Sequence, residues 1–202
     1  MLTVYHLNES RSLRILWLLE EIGAPYQIVR FERDATRRAP AALAEVHALG
    51  KAPVIRDGEL VLAESGAIVE YLLERHGGGR LVPRPGTDAW GLYLQWLHFA
   101  EGSAMLPLLL DLFLGMGMIP GGKDGLLGGF VRAELARQLD YIEQELGEKP
   151  HLLGAFTAAD VMMGFPLDLA ERQGHLAGRP QLLAYVERLR ARPAYVRAQA
   201  AA

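Results

Sequence analysis

Lys51, Pro53, Glu64 and Ser65 are the residues whose types and spacing most directly suggest the holding of a ligand. They punctuate the stretch Gly50-Lys51-Ala52-Pro53-Val54-Ile55-Arg56-Asp57-Gly58-Glu59-Leu60-Val61-Leu62-Ala63-Glu64-Ser65. This reads as a proline-led strand, a two-residue Asp57-Gly58 turn, a second strand and a Glu-Ser pair opening a helix. Asp-Gly suits a type I′ hairpin, which needs positive φ at both central residues. Arg56 and Glu59 would flank it as a favourable cross-strand pair. Ser65 is the expected N-cap for a helix carrying Ala67, Ile68, Tyr71 and Leu72. Backbone groups beside Pro53 can pair with an extended peptide, and a helix N-terminus attracts a carboxylate. The chemistry is recognition of a small anionic peptide. Taken alone, the same residues serve equally well as a plain hairpin-and-helix unit with a serine cap.

Alternating strands and helices must position these residues. Leu2–His6 is a short apolar strand. Leu13–Ile22 carries Leu13, Leu16, Trp17 and Glu20 at helical spacing, with Gly23 as its C′ signal and Pro25 barring continuation. Residues 26–31 are strand-like, and 40–49 form a short helix closed by Gly50. The order β-α-β-α-β-β-α predicts a thioredoxin-like α/β domain over residues 1–77, a mixed four-stranded sheet covered by helices. Gly77-Gly78-Gly79, with Pro83 and Pro85, mark a linker over 78–87.

From 88 to 202 only helices are expected, forming an all-α domain. Residues 89–114 are apolar, with kinks at Gly102 and Pro107. A glycine-rich, irregular connection follows over 115–129, then an amphipathic helix over 130–146. Tyr93, Trp96, His98, Phe99, Glu101 and Met105 crowd one region that reads mainly as core. Thr157 and Asp160 have capping-box spacing, with Phe156 and Val161 at the staple positions. That motif is structural.

Composition excludes several classes of function. The 202-residue chain is 50% hydrophobic and 22% charged, so a packed core is expected. A net charge of −3 leaves no electrostatic footprint for nucleic acid. There is no cysteine, which rules out disulfide scaffolds, thiolate metal sites and thiol catalysis by the protein itself. No His/Asp/Glu spacing suggests a metal, and no phosphate-binding glycine loop follows a strand. No secretory leader is expected. The apolar run from Ala104 to Ile119, interrupted by Pro107 and Asp111, falls short of the roughly 18–20 clean apolar residues of a membrane span. The expectation is a cytoplasmic protein with no membrane and no nucleic-acid partner.

Lys51-Ala52-Pro53-Val54 and Glu64-Ser65-Gly66-Ala67-Ile68 resemble the glutathione-binding half of the glutathione transferases. In that family a proline, usually cis, precedes a strand and a Glu/Gln-Ser pair starts the next helix. Thr157–Asp160 resembles the buried capping box of the family's helical domain. The resemblance covers nearly the whole chain and implies a homodimer that uses glutathione as co-substrate and needs no other cofactor. It adds the glutathione thiol to a hydrophobic electrophile, or uses it to reduce an organic hydroperoxide.

A thiol must be held as thiolate to react, which calls for a donor or positive field at sulfur. The natural location is the turn His6-Leu7-Asn8-Glu9-Ser10-Arg11-Ser12. Ser10 is the first choice as catalytic donor, with Tyr5 and Asn8 as rivals, and Ser10 or Ser12 can also cap the helix. The resemblance assigns glutathione binding to Asn8, Arg11, Lys51, Pro53, Val54, Glu64 and Ser65. Lys51 would meet the glycyl carboxylate, the Val54 backbone the cysteinyl unit, Ser65 the γ-glutamyl carboxylate and Glu64 the amino group. Glu101 would reach glutathione across a dimer interface, and His98 is not expected to be catalytic. A non-catalytic glutathione-binding or regulatory protein on the same fold is the alternative.

Overall fold

A computed structural model describes residues 1–202. The chain divides into two compact units, Met1–Val82 with Arg190–Ala202, and Pro83–Leu189. In the first, β1 (Leu2–Leu7), α1 (Leu13–Ile22), β2 (Gln27–Phe31), α2 (Ala42–Val46), β3 (Val54–Asp57), β4 (Leu60–Ala63) and α3 (Ser65–His76) follow in the expected order. The sheet order is β2-β1-β3-β4, with β1 parallel to β2 and antiparallel to β3, and β3 antiparallel to β4. This is the mixed four-stranded thioredoxin-like arrangement. Along β1, Leu2, Val4 and His6 alternate onto one buried face. A histidine at such a position is enclosed by the core, whatever its polarity.

The hairpin forms one residue later than expected. Asp57 pairs with Leu60, so the turn is Gly58-Glu59, and Arg56 lies opposite Val61 instead of Glu59. Only Gly58 takes positive φ (59°), the pattern of a turn with glycine first rather than of type I′. Asp57 is kept in the ladder by its side chain. Its carboxylate accepts from the Tyr71 hydroxyl at 3.0 Å and lies 3.1 Å from His76 Nε2, which ties β3 to α3.

The division of the chain differs from the sequence expectation at its end. Residues 190–202, expected in the helical domain, belong with the first unit. The helix responsible, the last in the chain, spans Pro193–Ala201 and packs on α1. Tyr195 meets the Trp17 ring edge-on at 5.1 Å, Arg192 grips Glu21 through Nε and Nη2 (2.6 and 2.9 Å), and Arg197 Nε donates to Glu20 at 2.6 Å. Covered in this way, α1 buries seven of its ten residues, including Arg14 and Trp17. A bidentate arginine–carboxylate pair is the stronger kind of ion pair.

The second unit is helical. Its first helix, α4 (Asp88–Phe99), passes through a wide π-turn at Ala100–Ala104 into α5 (Met105–Gly115). Thr87 caps α4 by accepting from the Trp90 N–H at 3.3 Å. The irregularity expected at Gly102 and Pro107 takes the form of this widened turn, which contains Gly102. Pro107 lacks an N–H and its ring would crowd the carbonyl four residues earlier, at Ser103; the widened turn contains that residue. The continuous helix Asp88–Gly115 is 28 residues long and contains an 18-residue window with a mean hydropathy of 1.4. By length and composition alone that window passes for a membrane span, a test that the core helix of a folded domain passes equally. In the fold the helix buries Tyr93, Trp96, Leu97, Met105 and Leu108, and Asp111 is bonded to Lys123 (2.6 Å) and His175 (3.0 Å).

The glycine-rich connection is shorter than expected. A 3-10 turn at Gly122–Asp124 leads directly into α6 (Leu126–Leu146), which absorbs Gly128 and Gly129. A Cβ at Gly128 would fall 2.1 Å from the Lys123 carbonyl, so only glycine allows that turn to close on the helix. Then come α7 (Ala158–Arg172) and α8 (Pro180–Arg190), and Pro193–Ala201 is α9. The capping box at the start of α7 is present. Asp160, fully buried, accepts from Thr157 N–H (2.8 Å), Leu152 N–H (3.0 Å) and the Tyr185 hydroxyl (2.6 Å).

Candidate functional site

Strand register brings three connections to one end of the sheet. Tyr5 lies opposite Val54, and Val54 opposite Ala63. The turn after β1, the residues before β3 and the start of α3 after β4 therefore share that end. Ser10, Arg11, Lys51, Pro53, Glu64 and Ser65 all sit on these connections. Pro53 and Val54 are buried, Lys51 and Glu64 exposed. The Ala52–Pro53 peptide is cis, as the resemblance implied.

Ser65 is not the N-cap of α3. Glu64 holds that position, because its carbonyl accepts the first helical bond, from Ile68 N–H at 2.9 Å. Ser65 is the first helical residue and is buried. Glu64 adopts φ 70°, ψ 119°, outside the regions open to side-chain-bearing residues and costing about 1–3 kcal/mol. Strain of that size, on an exposed residue beside the first free N–H groups of a helix, marks a place where backbone direction matters more than local comfort.

The β1–α1 turn is a buried knot of polar side chains. Ser12, wholly buried, stands at the N-cap of α1 but makes no cap bond. Its Oγ lies 2.7 Å from Ser10 Oγ and 2.9 Å from His6 Nδ1. It also accepts from Leu7 N–H at 3.1 Å and is within donating distance of the Leu7 carbonyl, at 3.2 Å. Ser10 Oγ accepts from Ser12 N–H at 3.2 Å, and its carbonyl accepts from Leu13 N–H at 3.3 Å. Burial, and after it the Arg30 guanidinium, holds the His6 imidazolium below its ordinary value, with Glu32 opposing. Both effects favour the neutral ring.

The rivals of Ser10 are engaged elsewhere. The Tyr5 hydroxyl accepts from Arg56 Nε at 3.1 Å. Arg56 pairs with Thr3, so that hydroxyl points down the sheet, away from the turn. Asn8 braces the turn against the end of β2. Its amide donates to Glu32 and accepts from Arg33 N–H at 2.9 Å, while its own N–H donates to the Phe31 carbonyl at 3.2 Å. Only the second amide hydrogen of Asn8 is left for a ligand. Arg11 is half-buried at the helix start. In the second unit Tyr93, Trp96 and Met105 are core, Phe99 meets Trp96 edge-on and Tyr141 at a tilt, and His98 is exposed.

Sequence reasoning weighed Ser12 only as a cap and missed His6. The signal was there: a polar residue at the third inward position of β1, and two serines separated by one residue.

An α/β sheet of this order with a cis-proline before β3 defines a thioredoxin-like unit, followed here by helices. The family model for the glutathione S-transferase N-terminal domain matches residues 1–74. Glutathione S-transferase 3 of Schizosaccharomyces pombe is 33% identical over 192 residues, 89% of this chain and 78% of that protein. A crystal structure of a glutathione S-transferase from Actinobacillus pleuropneumoniae superposes with a TM-score of 0.90 at 33% identity, covering 100% of this chain and 92% of that one. A Pseudomonas fluorescens family member with two glutathione bound superposes at 0.83 with 25% identity, covering 98% and 91%. The chain belongs to the glutathione S-transferase family and is a transferase by class, with glutathione as its co-substrate.

Proposed function

We propose that the protein adds the glutathione thiol to hydrophobic electrophiles, with Ser10 donating a hydrogen bond to the sulfur. The observation that supports this reading is that the turn carrying Ser10, the Pro53-Val54 connection and the strained Glu64–Ser65 pair share one end of the sheet. The peptide lies along the Val54 backbone, its γ-glutamyl carboxylate on Ser65 and the start of α3, its amino group near Glu64, and its glycyl carboxylate within reach of Lys51. Arg11 adds positive field to the turn, and Asn8 holds the turn in place while offering its remaining amide hydrogen. A hydroxyl donor at sulfur favours thiolate over thiol and so lowers the thiol pKa. The bound thiolate can also attack an organic hydroperoxide, a second glutathione then releasing the oxidised product.

The working form is a cytoplasmic homodimer, with Glu101 contributing to the neighbouring site. Retention on immobilised glutathione, together with turnover of a chloronitrobenzene and of an organic hydroperoxide, tests the reading. Retention and turnover are expected. Retention without either turnover would leave a binding module, and no retention would remove the glutathione site altogether.

A further inference from the structure

Ser12 Oγ has four polar neighbours and only one hydrogen of its own. Leu7 N–H occupies one of its two lone pairs in every arrangement. Two hydroxyl oxygens 2.7 Å apart require a hydrogen between them. The direction of that hydrogen is decided by His6. If Nδ1 of the neutral ring carries the proton, it fills the second lone pair of Ser12. The one hydrogen of Ser12 must then serve Ser10 at 2.7 Å and not the Leu7 carbonyl at 3.2 Å, because Ser12 has no lone pair left to receive one from Ser10. Ser10 already accepts from Ser12 N–H. The Ser10 hydrogen has no place left inside the knot and points outward. If the proton is on Nε2, Ser12 donates to bare Nδ1, Ser10 donates to Ser12, and Ser10 has nothing to offer a ligand.

We propose that His6 is a positioning residue: its Nδ1–H orders the chain His6–Ser12–Ser10 so that Ser10 is held as a donor to the glutathione sulfur. The proposal rests on the reading of Ser10 as the thiolate donor. No proton changes owner in the chain; a fixed tautomer sets the direction of two hydroxyls. The charged groups facing His6 are Arg30 on β2 and Glu32 just beyond it. His6 itself touches no substrate.

The decisive measurement is nitrogen NMR of His6 in the glutathione-bound protein, which distinguishes the two ring nitrogens. The protonated nitrogen is expected to be Nδ1; protonation at Nε2 alone overturns the proposal. Paired variants give a second route, read by ultraviolet titration of the bound thiol. Asparagine can place an N–H donor near the position of Nδ1, whereas aspartate offers only acceptors. His6→Asp should raise the bound thiol pKa by about one unit, roughly a tenfold loss of thiolate below that pKa. His6→Asn should raise it by less than half as much. Equal shifts in the two variants overturn the proposal, and the NMR result stands even if the aspartate variant fails to fold. Failure of the underlying reading looks different: Ser10→Ala would then leave the bound thiol pKa unmoved, whatever His6 does.

Discussion

Two buried polar networks stand at helix starts in this protein, one in each unit, and they differ in what they leave unused. At α7, Asp160 takes bonds from Thr157, Leu152 and Tyr185. Every hydrogen in that set ends on the carboxylate. At α1, Ser10 and Ser12 share hydrogens with His6 and Leu7, and with the His6 proton on Nδ1, as proposed above, one hydroxyl hydrogen is left over. A saturated network contributes to folding and nothing more. A network with a surplus hydrogen can act on something that arrives later. The resemblance to a known family marks both regions equally; only the hydrogen-bond count separates structure from chemistry.

Breaking the saturated network should give the largest effect. Asp160→Ala strands four buried donors, the Thr157 and Leu152 N–H groups and the Thr157 and Tyr185 hydroxyls, so the unfolding free energy should fall by about 3–5 kcal/mol; denaturant unfolding measures this, while kcat per folded molecule stays close to wild type. A loss under about 1 kcal/mol would mean that the network is not what holds α7, α8 and the preceding loop.

At the other network the balance reverses. Ser10→Ala should lower kcat/KM about 100-fold, the scale of one lost donor at a developing anion. Its unfolding free energy should fall by about 1–2 kcal/mol, for the Ser12 groups left without a partner, well short of Asp160→Ala. If stability fell as far as in Asp160→Ala and rate did not, the two networks would be alike after all.

Tyr185→Phe sharpens the contrast at lower cost, about 1–2 kcal/mol at neutral pH. Burial first, and then the Asp160 charge, push the Tyr185 hydroxyl well above its ordinary value of 10.0. The folded state therefore keeps a proton that the unfolded chain loses. This contribution to stability is complete below pH 10 and declines as pH rises beyond it. In alkaline denaturation, wild type should lose stability above that pH and Tyr185→Phe should lose less.

The smallest change belongs to the exposed rim of the site. Lys51→Ala should raise the KM for glutathione roughly three- to fivefold with kcat intact, because an exposed ion pair contributes at most about 1 kcal/mol. Steady-state kinetics with glutathione as the varied substrate separates the two parameters.

Much of this was legible in the sequence, and what was not has physical causes. Period and punctuation revealed the α/β unit, the Pro53 and Glu64–Ser65 connections and the Thr157–Asp160 box, because each is local. The turn at Gly58-Glu59 was misplaced by one residue, since the preference for Asp-Gly lost to the tie between Asp57, Tyr71 and His76. Ser65 was read as a cap because capping statistics favour serine, while a glutamate at φ 70° is a choice no propensity makes. His6 was passed over because its importance lies in a distance to Ser12, five residues beyond Leu7, that only the folded turn creates. The partner of α9 was likewise beyond reach: its arginines meet Glu20 and Glu21 across more than 170 positions.

That last arrangement also sets the order in which the protein can be made. The helical unit, 83–189, is contiguous and can close on itself as soon as it leaves the ribosome. The unit that holds the glutathione-binding elements is synthesised first but cannot be completed first. Trp17 and the outer face of α1 wait uncovered until residues 192–201 emerge. Of these two units, the one translated earlier is therefore the one finished later.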